Sequence, residues 1–430
     1  MRRISLFSFF VSIIFISNIF AAQIEWEVPF SKEQLKLDGR VAVILGAGPA
    51  GLIAARAILK SNQHDHVVIV EKRPKFSRFN MVNFFPESWP MLTNLGLDQT
   101  FRSIIQSLSK FYFHLAQPNR KPISFLREPL PIPTVFDYHG KISSILLNPQ
   151  VGFDVVNLAE LQHEIAEALV TDQRVKLIHG TSVVSETPND DSLHTIEIFR
   201  HGEEKSSEFV RLTPDLIVIA EGAHSENRNR IGIQMKPILD TQYWCSGSVS
   251  LKPIETYSIK NNFMTVFDQG GKTIIRTFGI FNARPSELFL NGLARSDEHL
   301  EACLKRNAVT LIAHAITRLG YFAPDLPSEK LEIVRKIEGQ KIIEIVPSKA
   351  SRFSSGRNII TLGDASGNGS PQGGIGLSLV ITFYAQALLD LLQDWQQDDR
   401  NHILDQYNNR VSEIVDYWHT KMKSDSVLVR

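Results

Sequence analysis

Three glycines spaced as Gly46-x-Gly48-x-x-Gly51, directly after the apolar run Val41-Ala42-Val43-Ile44-Leu45, have the chemistry of a phosphate cradle. In such a pattern the first glycine makes a tight turn, the second lets a pyrophosphate approach the backbone, and the third lets helix and strand pack closely. Ala50 sits in the same loop, and the helix opening here turns free N–H groups and its positive end towards the phosphates. A second apolar run, Val67-Val68-Ile69-Val70, ends in Glu71. An acid at that point hydrogen-bonds an adenosine ribose and repels a 2′-phosphate, which favours FAD or NAD over NADP as the resident dinucleotide.

Two later groups have related chemistry. Leu216-Ile217-Val218-Ile219-Ala220 ends in Glu221-Gly222, with Ser225 and Arg228 following, so a carboxylate and a flexible backbone lie at a strand's carboxyl end. Ligands of open α/β sheets bind there. The third group is Gly363-Asp364-Ala365-Ser366, followed by Pro371-Gln372-Gly373-Gly374-Ile375-Gly376-Leu377-Ser378. Its proline and glycines open a helix with bare N–H groups, which would stabilise an electron-accepting ring that becomes anionic on reduction. With no second glycine fingerprint to hold a nicotinamide permanently, the resident dinucleotide reads as FAD.

The elements that must position these groups follow from periodicity. Leu158 to Val170 has helical spacing and feeds a strand at Val175 to Ile178; segments near 182–184, 195–199 and 209–212 alternate as an antiparallel meander; Asn358 to Leu362 is a buried strand. Ser88 to Leu97 reads as a short helix capped by Ser88 and stopped at Gly96, Gln117 to Pro133 as surface connection, 242–281 as mainly strand, 296–319 as helix and 331–346 as a strand pair. Two long helices, about 375–396 and 401–422, close the chain. The predicted fold class is α/β: a Rossmann-like FAD-binding domain of the glutathione-reductase type, with an inserted mixed α/β substrate domain and C-terminal helices. The FAD-binding domain takes residues 38–110, 150–232 and 348–396, the substrate domain 111–149 and 233–347, and the C-terminal helix 397–430.

Among the 430 residues, 46 Lys and Arg balance 46 Asp and Glu, which gives no electrostatic footprint for nucleic acid. The two cysteines, Cys245 and Cys303, form no CxxC pattern, and no metal is expected. His64-Asp65-His66 reads as a solvated turn. No Gly-x-Ser-x-Gly elbow is present. Residues 1–22, with Arg2 and Arg3 ahead of an apolar run and Ala21-Ala22 behind it, read as a signal peptide or N-terminal membrane anchor. The chain is thus expected to be exported, periplasmic or secreted, or held at a membrane by this segment.

The order and separation of the three groups, with Leu404-Asp405-Gln406-Tyr407 and Arg410 near the end, resemble the class A flavoprotein monooxygenases, which include para-hydroxybenzoate hydroxylase. The resemblance implies that Gly46, Gly48 and Gly51 hold the FAD pyrophosphate and Glu71 the ribose. It places Glu221-Gly222 at a motif linked to both FAD and a visiting nicotinamide. It gives Asp364 the ribityl-pyrophosphate region, and Pro371, Gly374, Ile375 and Gly376 the isoalloxazine. Locally, Val70-Glu71-Lys72-Arg73-Pro74-Lys75-Phe76-Ser77-Arg78-Phe79-Asn80 looks like the MICAL monooxygenases, where an acid, a basic pair and Phe-Ser-Arg precede an asparagine beside the flavin. That likeness adds Lys72, Arg73, Arg78 and Asn80 to the cofactor site, and Asn80 and Pro371 are the catalytic candidates. Asn83 and Phe85 stand where MICALs have histidine and tryptophan, so their protein-methionine substrate does not transfer.

Glu221 replaces the usual aspartate, Ser366 stands at a frequent histidine and Ser378 at a frequent asparagine, and the Leu158 to Leu161 region lacks the family's FAD-contacting arginine. The resemblance implies an FAD-dependent monooxygenase that uses NAD(P)H as a transient co-substrate and oxygenates a substrate with molecular oxygen through a flavin hydroperoxide. The expected substrate is a small molecule, with a protein as the alternative. The rival readings are a reductase or NAD(P)H oxidase, and a non-catalytic flavin-binding protein; the halogenase signature WxWxIP is absent.

Overall fold

The computed structural model describes residues 35–77, 80–116, 123–126, 154–185, 192–200, 209–251, 262–269, 275–284, 287–294, 333–369, 376–396 and 399–427. The N-terminal segment 1–22, the helix expected over 296–319, and Arg78, Pro371, Gly374 and Ile375 lie outside the described residues.

Five apolar runs become the parallel centre of an eight-stranded sheet. The first strand, β1 (Val41–Leu45), leads through Gly46 and Gly48 into helix α1 (Pro49–Ser61) and then strand β2 (His66–Glu71). Strand β1 lies between β2 and Leu216–Ile219, the latter paired on its other side with Ile359–Thr361, while β2 pairs with Val175–Val184; every one of these pairings is parallel. Strands buried on both faces need continuous apolar sequence, and Val43, Ile44, Leu45, Ile217, Val218 and Ile360 are fully buried. Each such side chain contributes about 1.5–3 kcal/mol through burial. Because β1 sends its chain to one side and receives Leu216–Ile219 on the other, the strand order reverses beside it, which is where an open sheet leaves a ligand crevice.

The expected meander is present: Gly180 to Val184 turns the far half of Val175–Val184 into an antiparallel partner of Ile196–Arg200, which pairs with Val210–Leu212. A second, nine-stranded sheet is built from Gln242–Leu251, Asn262–Gln269, Ile275–Arg284, Glu287–Ala294 and Ile333–Ile345, together with Met81–Phe84, Gln106–Ala116, Ile123–Leu126 and Asp154–Asn157. The strand pair expected over 331–346 is instead one strand, Ile333–Ile345. Its register against Gln242–Leu251 jumps from Lys341 opposite Ser246 to Ile337 opposite Ser248, so Glu338, Gly339 and Gln340 bulge where a turn was expected. Within the stretch expected as surface connection, Ile123–Leu126 is a strand paired with Gln106–Ala116.

Helix Leu158–Val170 matches its expected bounds, started by the Asn157 side chain, which accepts from Ala159 N–H and Glu160 N–H. The segment expected as one helix from Ser88 is a 3₁₀ turn, Pro86–Ser88, followed by Trp89–Asn94, and Ser88 makes no capping bond. The next-to-last helix runs from Gly376 to Gln393 with a π turn at Val380–Tyr384. It is long and apolar enough to cross a membrane, but it is mostly buried within the protein, where its second half packs on α1. The last helix is Arg400–Val427.

Candidate active site

The loops carrying the three motifs all leave the carboxyl ends of neighbouring parallel strands, and their backbones touch. Gly46 has φ +96°, donates its N–H to Val70 O at 2.8 Å, and would press a side-chain carbon to 2.7 Å from Ala220 O. The Glu221 loop therefore needs a bare glycine as its neighbour. On the other flank, Gly363 has φ +65°, and a carbon added there would lie 2.7 Å from Ala50 Cβ. Gly46, Gly48, Ala50, Gly51, Glu221, Gly222 and Asp364 are thus gathered around the start of α1, with Asp364 exposed at the strand edge.

The individual glycines do different work. A Cβ on Gly51 would meet Gly46 O at 1.9 Å, so this position serves helix-to-strand packing. A Cβ on Gly48 would meet nothing within 4 Å, and the residue's φ −66° and ψ 171° are open to any amino acid. Gly48 precedes a helix N-terminus with no side-chain cap and no acid in its first turn. Its N–H donors await an external acceptor.

Glu71, 3% exposed, braces the cradle. Its Oε2 accepts from Ala47 N–H at 2.9 Å, and its Oε1 accepts from the Arg73 backbone N–H at 3.0 Å and the Arg73 side-chain Nε–H at 3.1 Å. Lys72 is exposed, and its carbonyl lies 3.1 Å from His179 Nε2.

Gln162 escaped sequence reasoning. Its Nε2 donates to Ala47 O at 2.8 Å, and its Oε1 is buried without a partner among the described residues. The available signal was an amide on the buried face of the Leu158–Val170 helix, beside Leu161 and Ile165. An unpaired amide oxygen, an uncapped helix start and the open space before Gly48 fit the hydroxyl- and phosphate-bearing chain of FAD.

Asn80, the candidate catalytic residue, lies next to the start of the Leu158–Val170 helix. Its carbonyl accepts from Leu158 N–H at 2.9 Å, which fixes it beside the helix carrying Gln162. Downstream, Phe85 N–H donates to Ser378 Oγ at 2.9 Å, and Thr382 Oγ1 donates to Ser88 Oγ at 3.3 Å. The serine at a position often held by asparagine thus ties the Asn80 to Ser88 segment to the helix that starts at Gly376. Glu221 accepts from Ser225 Oγ–H and from Asn227 Nδ2–H. Arg228, 2% exposed, reaches Ala365 O at 3.4 Å and so joins the second motif to the third. Burial holds its guanidinium below the usual value, against the opposing pull of Glu221.

Glu87 lies in the 3₁₀ turn between these anchors. Burial holds its carboxyl above the usual carboxylate range, its own backbone N–H pulling the other way, and its Oε2 has no partner among the described residues. A folded state that binds this proton more tightly than the unfolded chain is favoured below the unfolded value and loses that advantage as pH rises through the folded value. Glu87→Gln is therefore expected to raise Tm at about pH 8 and to give no gain at about pH 3.5, as thermal melts across this range will check.

His64-Asp65-His66 is not a solvated turn throughout. His64 is buried with Nε2 3.1 Å from Asp215 Oδ2, and the described residues include no cluster fit for a metal ion.

Residues 39–288 match the family model described as FAD binding domain. No curated protein sequence matches the chain. Among solved structures, the flavin-dependent halogenase CmlS is similar with TM-score 0.64 and 15% identity over 89% of this chain, which spans 63% of CmlS. The p-nitrophenol 4-monooxygenase PnpA from Pseudomonas putida DLL-E4 is similar with TM-score 0.56 and 16% identity, covering 91% of this chain and 94% of that one. P. aeruginosa PqsL in complex with 2-aminobenzoylacetate gives TM-score 0.59 and 18% identity, covering 89% and 95%. With the fingerprint, its acid and the two further motifs gathered at one sheet edge, the chain belongs to the FAD-binding domain family and has the fold of the class A flavoprotein monooxygenases.

Proposed function

We propose that this protein is an FAD-dependent monooxygenase that takes NAD(P)H as a transient co-substrate and uses molecular oxygen to oxygenate an organic molecule. The observation that carries the proposal is the tie between two walls: Ser378 and Thr382, on the helix expected to face the flavin ring, hold the segment bearing Asn80. A site meant only to store a dinucleotide has no need of that second wall. Bound FAD supplies two-electron redox chemistry with the nicotinamide and with oxygen. This chain's residues supply the rest. Gly48 and the start of α1 would bind the pyrophosphate, Glu71 would orient the ribose, Asp364 would hold the ribityl end, and the helix starting at Gly376 would turn its first backbone N–H groups to the ring. Asn80 would orient the reacting partners, and the bond from Phe85 N–H to Ser378 Oγ anchors the segment that follows it to the helix starting at Gly376.

PnpA is named a p-nitrophenol monooxygenase, and a relative of similar fold is 2-methyl-3-hydroxypyridine-5-carboxylic acid oxygenase. Both names support a small aromatic substrate, with a protein substrate as the alternative. The likeness to CmlS supports the fold alone, and the WxWxIP signature of halogenases is absent.

Coupling tests the proposal. Anaerobic NADPH or NADH is expected to bleach the bound flavin, and aerobic turnover with small aromatics should consume more oxygen than appears as peroxide. Quantitative peroxide release with every aromatic and protein substrate tried would replace the proposal with an NAD(P)H oxidase, and no bleaching with either nicotinamide would leave a non-catalytic flavin protein. Asn80→Ala is expected to keep its flavin while kcat falls about tenfold or more. An unchanged kcat would return Asn80 to a turn role.

A further inference from the structure

The last helix reaches the ring end of the site through a face that none of the three motifs includes. Val415 packs directly on the strand that follows the Asp364 turn: a carbon added to Gly367 would sit 2.5 Å from one Val415 methyl and 2.8 Å from the other. One helical turn later, His419 Nε2 lies 3.0 Å from Asn368 O. Between them in sequence, Trp418 is 5% exposed, and its ring edge lies 3.6 Å from where a Gly376 side chain would begin. The spacing of Val415, Trp418 and His419 puts all three on one helix face. That face touches both Gly367-Asn368, just after Asp364, and Gly376, where the helix expected to meet the flavin begins.

Trp418 carries a second mark. Its indole N–H is buried and finds no acceptor among the described residues. A buried tryptophan ordinarily pairs its N–H, and leaving it unpaired costs free energy. Packing alone would be served as well by phenylalanine.

We propose that Trp418 is a positioning residue for the flavin-ring end of the site: the Cη2–Cζ2 edge of the indole backs Gly376 and its buried N–H is left for the ligand, so the last helix sets how the ring sits while the fingerprint sets how the ADP half binds. The proposal rests on FAD being the resident dinucleotide. Its test separates the two halves of that ligand in the full-length chain. ADP occupies only the fingerprint end, whereas FAD occupies both ends.

Trp418→Ala is expected to weaken FAD binding about tenfold or more while ADP affinity stays within about twofold of the parent. Trp418→Phe, which keeps an aromatic ring and removes the N–H, should bind ADP normally but alter the visible circular dichroism of the bound flavin. If Trp418→Ala does not accumulate, Trp418→Phe decides on the same readouts. Parallel loss of FAD and ADP affinity would make Trp418 a fold residue only, and unchanged FAD affinity with an unchanged flavin spectrum would remove it from the site. Either result overturns the proposal. A parent chain that binds ADP but no FAD would instead overturn the cofactor assignment on which it rests.

Discussion

Gly48→Val should yield a folded, colourless protein. The backbone at Gly48 suits any residue, and a β-carbon there meets no protein atom within 4 Å, so the fold has no reason to reject valine. The cost falls on the ligand, because the added methyl groups occupy the space into which the uncapped N–H groups of α1 point. Flavin absorbance after purification and a titration with FAD check this; affinity should fall at least about a hundredfold while Tm of the flavin-free protein stays near that of the parent. A yellow, fully loaded variant would refute the pyrophosphate site. Gly51→Ala supplies the contrast. Its β-carbon would lie 1.9 Å from Gly46 O, so the helix must move off β1, and the expected outcome is a loss of about 3 kcal/mol or more of stability with or without FAD. One fingerprint thus contains a glycine for the ligand and a glycine for the fold.

The second large effect lies at the opposite end of the parallel sheet. Asp215, just ahead of Leu216–Ile219, accepts hydrogen bonds from two distant parts of the chain, Trp395 Nε1–H at 2.7 Å and Arg400 Nη2–H at 2.6 Å, and has His64 Nε2 3.1 Å away. The Arg400 guanidinium also stacks 4.6 Å over the Trp395 ring. Burial alone would push the Asp215 carboxyl up, but the contacts from His64, Arg400 and Trp395 together outweigh it and hold the group well below the usual carboxylate range. Asp215→Ala strands the Trp395 and Arg400 donors and is expected to cost about 3–5 kcal/mol, measured by denaturant unfolding at neutral pH. The pH dependence has a definite sign. A carboxyl depressed in the folded state contributes stability above its unfolded value, about pH 4, and that contribution is lost as pH falls towards the folded value. The gap between parent and Asp215→Ala should therefore close on acidification; a gap that stays constant down to about pH 2 would remove the ion pair as its cause.

Much of this architecture is legible in the chain because a buried parallel strand leaves little freedom of composition. Val41 to Leu45, Val67 to Val70 and Leu216 to Ala220 are continuous apolar runs, and the strands appear where those runs lie. The glycine fingerprint was equally open, since backbone conformation and close approach restrict Gly46 and Gly51 to one residue type. The second sheet is less legible, because the strand pair expected over 331–346 is one strand that absorbs Glu338, Gly339 and Gln340 as a bulge opposite Gly247. Ser88 looked like a helix cap, but its hydroxyl is engaged by Thr382 from far along the chain. Gln162, Ser378 and the Asp215 cluster were hidden for the same reason. Each pairs residues remote in sequence, and a polar side chain facing inward shows in one dimension only as an interruption of an apolar stripe.

The π turn at Val380–Tyr384 lets one helix answer to two masters. An ordinary helix advances about 100° per residue, so the wide turn offsets everything after it by roughly that angle relative to everything before. Ser378, ahead of the offset, is free to be phased to Phe85, while Leu388, Leu391 and Leu392, behind it, are phased to the core. Deleting a single residue within this turn would restore a uniform helix and force a choice between the two registers. The wide turn acts as a vernier that sets the angle of the site's helix independently of the core that supports it.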